Sequence, residues 1–179
     1  MTAHRNIVLT GAPGVGKTTL VIAVATRLAP CRPVGFYTRE IRLDGLRTGF
    51  EAIALDSRRT RLAHVDHASP HRVGRYGVDT PGFERFLASL HFVADPARPV
   101  ILDEIGRMEC FSARFRELAQ VILDSQAPLL ATVALRGSGL IAAVKARPDI
   151  QLIDVTIKNR NDLGSEIVTL MQSLFPPAV

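Results

Sequence analysis

Apolar residues in this 179-residue chain follow two alternating patterns, short continuous runs and a spacing of three to four positions. The first run covers residues 7–10 and is followed at once by Gly11, which indicates a buried strand that feeds a loop. From Thr18 to just before Pro30 the apolar positions recur at helical spacing, at Leu20, Val21, Val24, Ala25 and Leu28. The first 29 residues therefore predict a strand, a glycine loop and a helix.

Two longer apolar-polar runs, residues 34–42 and 49–55, flank a turn-rich stretch that contains Asp-Gly at 44–45. An Asp-Gly pair between two such runs is a signal for a β-hairpin, so we expect an antiparallel insertion here. Residues 56–80 are polar and irregular, and the pattern predicts a short strand near 73–78.

Helices and strands alternate through the rest of the chain. Pro81 lies where the first turn of a helix accepts proline, and Asn161 is a plausible N-cap of the last helix. Helices are predicted over 81–90, 115–123, 140–145 and 163–174, and strands over 100–102, 129–134 and 152–157. This alternation predicts a mostly parallel sheet covered by helices on both faces, within a single domain of residues 1–179.

The composition, 47% hydrophobic and 22% charged, is that of a soluble globular protein. No apolar run approaches the ~18 residues that cross a bilayer, and the first residues show no leader pattern, so we expect a cytoplasmic protein with no membrane partner. Cys31 and Cys110 have neither metal-ligand nor CxxC spacing and are expected to be reduced thiols. We also expect a monomer.

The net charge of +5 comes from 19 Arg and 3 Lys against 17 acidic residues. Eight arginines and three histidines lie between positions 39 and 75. A solvated surface explains this cluster, and a patch that attracts phosphates is the alternative. No aromatic ladder accompanies the arginines, so nucleic acid is an alternative partner rather than the expected one.

One short motif carries specific chemistry. Positions 11–18 match G-x-x-x-x-G-K-[ST], between a predicted strand and a predicted helix, with the residues Gly11, Ala12, Pro13, Gly14, Val15, Gly16, Lys17 and Thr18. The glycines let backbone N–H groups turn inward around phosphate oxygens, and the helix N-terminus adds its positive end. Lys17 supplies a charge for the β- and γ-phosphates, and the Thr18 hydroxyl is placed to ligate Mg²⁺.

A second stretch supplies two acids. Residues 100–107 read Val100, Ile101, Leu102, Asp103, Glu104, Ile105, Gly106 and Arg107, an apolar strand that ends in adjacent carboxylates. Asp103, at the carboxyl end of that strand, is the candidate for the Mg²⁺ side, and Glu104 is the candidate for orienting an attacking water. Arg107 is either a surface residue or a stabiliser of phosphate charge, and Gly106 permits the turn that would bring it over the site.

Polar residues also follow other strands. Thr132 and Arg136 lie where a γ-phosphate sensor would sit, although an ordinary strand residue with a locally bonded hydroxyl also explains Thr132. Residues 159–161, Asn-Arg-Asn, follow the last strand and could touch a nucleobase, although helix capping alone explains Asn161.

With "VGFYTREIR", "GFEAIAL", "RVGRYGVD", "ILDEIGRMECFS" and "NRND" in order after the loop motif, the chain resembles the THEP-type nucleoside triphosphatases over nearly its whole length. The resemblance implies Mg²⁺-dependent hydrolysis of several NTPs, ATP and GTP among them, to NDP and phosphate. It also implies a RecA-like P-loop fold, a three-layer sandwich, with residues 11–18 and 100–107 as the nucleotide-binding segments. The stretch "DTPGFE" at 79–84 departs from the family pattern and leaves the helix start there less well defined.

Three functions fit these motifs. An NTPase would transfer the γ-phosphoryl group to water, with Lys17, Glu104 and Arg107 as catalytic residues. A nucleotide or polynucleotide kinase would use the same cradle and a bound hydroxyl, with Glu104 as base. An NTP-gated binding module would hydrolyse slowly and carry a partner on the basic hairpin region. Base preference is open, since the Asn-Lys-x-Asp signature of guanine-specific GTPases is absent from the sequence.

Overall fold

The computed structural model describes residues 5–92 and 98–174, and all nine strands in these ranges form one mixed sheet. Residues 1–4 lie outside these ranges, so the expectation that the first residues carry no leader pattern concerns a part of the chain that the structure does not describe. The strands are β1 (Asn6–Thr10), β2 (Val34–Leu43), β3 (Leu46–Ala54), β4 (Arg59–His64), β5 (Arg72–Val73), β6 (Tyr76–Val78), β7 (Val100–Ile105), β8 (Leu129–Val133) and β9 (Ile150–Asp154). Their order across the sheet is β5-β6-β4-β3-β2-β7-β8-β1-β9.

The sheet has a parallel half and an antiparallel half that meet at β2. Strands β2, β7, β8, β1 and β9 pair in parallel, whereas β2, β3, β4, β6 and β5 pair antiparallel. The prediction of a mostly parallel sheet is therefore wrong for the described chain, because the hairpin continues into three further antiparallel strands. Strands β4 to β6 are short, and β5 and β6, with two and three residues, are too short to show a period-2 pattern.

Five helices cover the two faces of the sheet, as predicted: α1 (Lys17–Arg27), α2 (Thr80–Ser89), α3 (Ala113–Leu123), α4 (Leu140–Lys145) and α5 (Arg160–Ser173). Successive residues of β1 point to opposite faces, so Ile7 and Leu9 pack with α1 and α5 while Val8 packs with α2, α3 and α4. Single turns of 3₁₀-helix, Ala29–Cys31 and Glu109–Phe111, follow α1 and β7.

The face that holds α2 and α3 has an aromatic centre. The ring of Phe36, on β2, meets those of Phe83, Phe86 and Phe115 edge-on, with centroids 5.6, 5.8 and 6.2 Å away. Edge-to-face rings of this kind add about 0.5–1.5 kcal/mol per pair beyond their buried area. They join the start of β2 to both helices on this face.

The predicted hairpin is confirmed as β2 and β3. Asp44 and Gly45 both have positive φ, 48° and 78°, which is the backbone of the two-residue turn that an Asp-Gly pair favours. The strand predicted near 73–78 is instead two strands, β5 and β6, because Gly74 turns the chain with a φ of 56°. This correction adds the outermost hairpin of the sheet.

Several element boundaries differ from the prediction. Strand β7 continues to Ile105, so Asp103 and Glu104 lie inside it, and β9 starts and ends earlier than predicted. Helix α2 starts at Thr80 with Pro81 in its first turn, and Asp79 caps it by accepting a hydrogen bond from Gly82 N at 2.9 Å. The stretch "DTPGFE" therefore forms the capped start of a helix, even though it departs from the family pattern.

The described part of the chain contains no helix that is both long and apolar enough to span a bilayer.

Candidate active site

A cavity of about 580 Å³ opens beyond the carboxyl ends of β1 and β7. The loop of residues 11–18, here called the glycine loop, forms one side of it together with the start of α1. Glu104, Gly106 and Arg107 form its centre, and residues of β2 to β5 form the far side. The structure thus brings together the two segments that the sequence singled out.

The glycine loop has a backbone conformation that residues with a side chain rarely adopt. Gly11, Gly14 and Gly16 have φ values of 142°, 76° and 109°, and a Cβ on Gly11 would lie 2.5 Å from the carbonyl oxygen of Val155. Helix α1 begins at Lys17 with Gly16 as its N-cap, no side-chain cap and no acid in its first turn. Its first N–H groups and the positive end of its dipole therefore face the cavity, ready for an anion.

Lys17 is held inside this loop. Its side chain is buried, and Nζ donates to the carbonyl oxygens of Gly11 at 3.0 Å and Ala12 at 3.3 Å. Both bonds go to the loop's own backbone, so the ammonium group is held within the loop, and Lys17 also lines the cavity, where it can meet phosphate oxygens.

Asp103 is fully buried beneath the loop and is surrounded by donors. Its Oδ2 accepts from Thr18 Oγ1 at 2.9 Å and from the backbone N–H of Thr38 at 3.4 Å, and its Oδ1 accepts from Thr132 Oγ1 at 2.6 Å. Burial raises the pKa of the Asp103 carboxyl, while the hydrogen bonds from Thr132 and Thr18 act in the opposite direction. Thr132 therefore orients Asp103. The sequence analysis considered Thr132 as a γ-phosphate sensor or as an ordinary strand residue, and neither interpretation included this contact.

Glu104 lines the cavity next to Asp103 and is only partly buried. The pairing of β7 with β8 shifts register between Leu102 and Ile105, so the regular alternation of side chains is interrupted at the two acids. Burial raises the pKa of Glu104, the charge of Lys17 lowers it, and the neighbouring Asp103 raises it. A carboxylate with a raised pKa is a stronger base than an exposed one.

Glu109 is a site residue that the sequence analysis missed. It lies in the 3₁₀ turn after β7, lines the same cavity and is only 5% exposed. Burial and the charge of Glu104 raise its pKa to about 8. A Cβ on Gly106 would lie 2.8 Å from Glu109 Oε2 and 3.4 Å from Glu104 Oε1, so the glycine makes room for both carboxyls. The close spacing of three acids within residues 103–109 was the available signal.

Not every residue of the two predicted nucleotide-binding segments reaches the cavity. Four apolar residues of β7 are buried in the sheet, pack against the helices and lie outside the cavity lining: Val100, Ile101, Leu102 and Ile105. In the glycine loop, Val15 packs into the core and Ala12 faces inward through its carbonyl group. These strand residues support the site from the core without lining it. A sequence match to a binding segment does not distinguish supporting residues from lining residues.

The polar residues beyond the other strands have separate places. Arg107 is exposed and lines the cavity, whereas Arg136 is exposed outside it. Asn161 is not the N-cap of α5. That position belongs to Asn159, whose side chain accepts from Thr156 N at 2.8 Å and donates to Asp154 O at 2.9 Å. Arg160 donates from Nη1 to Val15 O at 3.1 Å and so holds the start of α5 against the glycine loop.

Comparisons with known proteins agree with this arrangement. The model of a family described as NTPase matches residues 6–168. Nucleoside-triphosphatase THEP1 of Thermotoga sp. (strain RQ2) is 39% identical over 167 residues, which cover 93% of this chain and 95% of that protein. The human cancer-related nucleoside-triphosphatase is 36% identical over 185 aligned residues, covering 94% of this chain and 97% of the human protein.

Two solved structures share the fold. The crystal structure of THEP1 from Aquifex aeolicus superimposes with a TM-score of 0.82 at 33% identity, covering 93% of this chain and 99% of that one. The solution structure of the human protein gives a TM-score of 0.79 at 35% identity, with 94% and 98% covered. The fold and the sequence matches place the chain in a family of nucleoside-triphosphatases. It belongs to the THEP1 family, which confirms the resemblance drawn from the motifs.

Proposed function

We propose that this protein is a Mg²⁺-dependent NTPase with a RecA-like P-loop fold that hydrolyses NTPs, ATP and GTP among them, to NDP and inorganic phosphate. The observation that carries the proposal is the 2.9 Å contact between Thr18 and Asp103, because it joins a helix start suited to phosphates to a carboxylate suited to a cation. The names of the relatives from Thermotoga and human support the same activity.

The donor set fits Mg²⁺. This ion takes oxygen ligands in an octahedron with bonds of ~2.0–2.1 Å, so neighbouring ligands lie ~2.9 Å apart. The oxygens of Thr18 and Asp103 have that separation, and Thr132 holds the second oxygen of Asp103 in place. When bound, the ion would neutralise charge on the β- and γ-phosphate oxygens.

The residues of the chain divide the remaining work. The glycine loop and Lys17 hold the phosphates, with the γ-phosphate toward β7. Glu104 accepts a hydrogen bond from the attacking water and takes its proton as the water oxygen bonds to the γ-phosphorus. The bond from that phosphorus to the β–γ bridging oxygen breaks, and NDP leaves. Arg107, which lines the cavity together with Glu104, stabilises the charge on the transferred group.

The test measures phosphate release from ATP, GTP, CTP and UTP with and without Mg²⁺. Lys17→Ala removes the ammonium group of the cradle and should abolish release and weaken NTP binding. Lys158→Ala is the matched control, since Lys158 is exposed and lies outside the cavity lining. If the parent releases no phosphate from any of the four, or if Lys17→Ala behaves like the control, the proposal is wrong.

A further inference from the structure

The cavity is wider than the space that a triphosphate on the glycine loop needs. In the sheet, β7 lies two strands from β1, and β3 lies two strands from β7 on the other side. Because neighbouring strands are ~4.8 Å apart, β3 stands ~10 Å beyond β7 and ~20 Å from the strand that feeds the loop. Residues of β2 to β5 nevertheless line the same cavity. We call four of them, Arg39, Arg47, Phe50 and Val73, the hairpin wall.

The NTP itself does not account for this wall. Thr18 and Asp103 would hold the cation, which would offset charge on the γ-phosphate, so the two residues mark the end of the cradle where that group would lie. The nucleoside therefore leaves the loop in the other direction, toward Arg160 at the start of α5. The hairpin wall stands on the far side of the γ-phosphate, where a second molecule would meet it.

The wall combines an apolar surface with two arginines, and the carboxylate of Glu40, paired with Arg47, lines the cavity beside them. Phe50 and Val73, both partly exposed, supply the apolar part, whereas Leu62 is only 1% exposed and belongs to the core behind the wall. Arg47 is held over the Phe50 ring at 5.2 Å, donates from Nε to the Tyr76 hydroxyl at 3.0 Å and pairs through Nη1 with Glu40 at 2.8 Å.

Arg39 is fixed in the same way, since it donates from Nε and Nη2 to Glu51 at 2.9 and 2.7 Å. Among the described residues, Arg39 Nη1 and Arg47 Nη2 have no hydrogen-bond partner, so each guanidinium keeps donors for an incoming anion. Arginines fixed by their neighbours lose little entropy when they bind a phosphate.

We propose that the hairpin wall is a second small-molecule subsite, which takes a planar ring that bears a phosphate group, the chemistry of a nucleoside monophosphate. The ring packs on Phe50 and Val73, and the phosphate meets the free donors of Arg39 and Arg47. The position beyond the γ-phosphate makes this ligand a phosphoryl acceptor. An oxygen of its phosphate bonds to the γ-phosphorus, the bond to the β–γ bridging oxygen breaks, and two diphosphates result. This acceptor role rests on the proposed NTP site; the binding itself does not.

The experiment keeps the glycine loop filled. Full-length protein saturated with ADP and Mg²⁺ is titrated calorimetrically with AMP, GMP, CMP and UMP. At least one monophosphate should bind saturably, and Arg47→Ala and Phe50→Ala should each weaken that binding about tenfold or more. Leu43→Ala is the control, because Leu43 lies on the same hairpin, is 65% exposed and is outside the cavity lining, and it should change binding less than twofold. Arg47 is exposed, so its variant should fold even if the Phe50 variant does not.

Several results would overturn the subsite. These are no saturable binding up to millimolar monophosphate in the presence of saturating ADP, or equal binding by the parent and Arg47→Ala. A single-stranded oligonucleotide that binds where mononucleotides do not would replace it with a nucleic-acid surface. In a parallel assay with γ-labelled NTP, labelled diphosphate formed from the monophosphate supports the acceptor role, and binding without transfer overturns that role. Failure of the proposed NTPase activity would be detected separately, because the parent protein would then release no phosphate from any NTP.

Discussion

The hydroxyl of Thr18 lies 2.9 Å from the carboxylate of Asp103, although 85 positions separate the two residues in the chain. One belongs to the first turn of α1 and the other to a central strand of the sheet. The contact exists because β1 and β7 run parallel with only β8 between them, so their carboxyl ends face the same cavity.

Glu104→Gln should lower kcat by ~10²–10⁴, because the amide keeps the size of the side chain but cannot take a proton from water. Nucleotide affinity should stay within a few-fold, since the phosphates are held by the glycine loop. Single-turnover hydrolysis and equilibrium binding of the same NTP measure the two effects. A near-parental kcat would make Glu104 a bystander, and an equal loss of binding and turnover would indicate that both acids hold the metal.

Arg107→Ala should lower kcat by ~10²–10³ at nearly unchanged NTP affinity, the effect of removing one donor that acts on transition-state charge. Arg136→Ala is its control, because Arg136 is an exposed arginine that lies outside the cavity lining. Steady-state kinetics on both variants measure kcat and KM for the comparison. Equal rates for the two would return Arg107 to the surface role that the sequence analysis left open.

Thr132→Val should destabilise the protein by about 1–3 kcal/mol, because it leaves an oxygen of the fully buried Asp103 without its hydrogen-bond donor. The Mg²⁺ concentration for half-maximal hydrolysis should rise as well, since Asp103 loses its fixed orientation. Urea unfolding and a Mg²⁺ titration measure these changes. Thr26→Val removes an exposed hydroxyl that bonds only Ile22 O, and it should alter neither. A parental Mg²⁺ response in Thr132→Val would separate Asp103 from the metal.

Glu109→Gln should make the protein's stability less sensitive to pH. Burial raises the pKa of Glu109 from 4.5 to about 8, so between these values the folded state keeps a proton that the unfolded chain has released. Its contribution to folding is therefore lost as pH rises through this window, at up to ~1.4 kcal/mol per pH unit. The glutamine variant lacks this slope, and its stability relative to the parent should increase from pH 5 to pH 8.

Urea unfolding at pH 5, 6.5 and 8 measures that difference. Glu117→Gln, on the exposed face of α3, is the control and should track the parent at every pH. Because Asp103 and Glu104 also have raised pKa values, the comparison uses the difference between variant and parent rather than the parent alone. Parallel curves for parent and Glu109→Gln would show that Glu109 is ionised in the folded protein.

The sequence was informative where local pattern decides structure. Continuous apolar runs predicted the strands of the parallel half and helical spacing predicted its helices, and the G-x-x-x-x-G-K-[ST] motif predicted the loop that joins the first strand to the first helix. The placement of Thr132 against Asp103 depends on which strand is the neighbour of β7, and sheet order is not a local property. The burial of Glu109 likewise depends on the turn after Gly106 and on the helices packed around it. From the sequence alone this charged residue is expected at the surface, but in the structure its carboxyl is buried.

Strand β2 is ten residues long, and it belongs to both halves of the molecule. Its first residues, Val34 to Phe36, pair with β7, and the strand from Phe36 onward pairs with β3. Thr38, whose backbone N–H bonds Asp103, lies in the part paired with β3. The antiparallel extension is therefore not a detachable module. A shortened version of the protein that removes the second half of β2 together with β3 would also remove the Thr38 N–H that bonds Asp103, the carboxylate on the metal side of the site. Trimming or grafting the hairpin therefore has to keep β2 as one continuous strand.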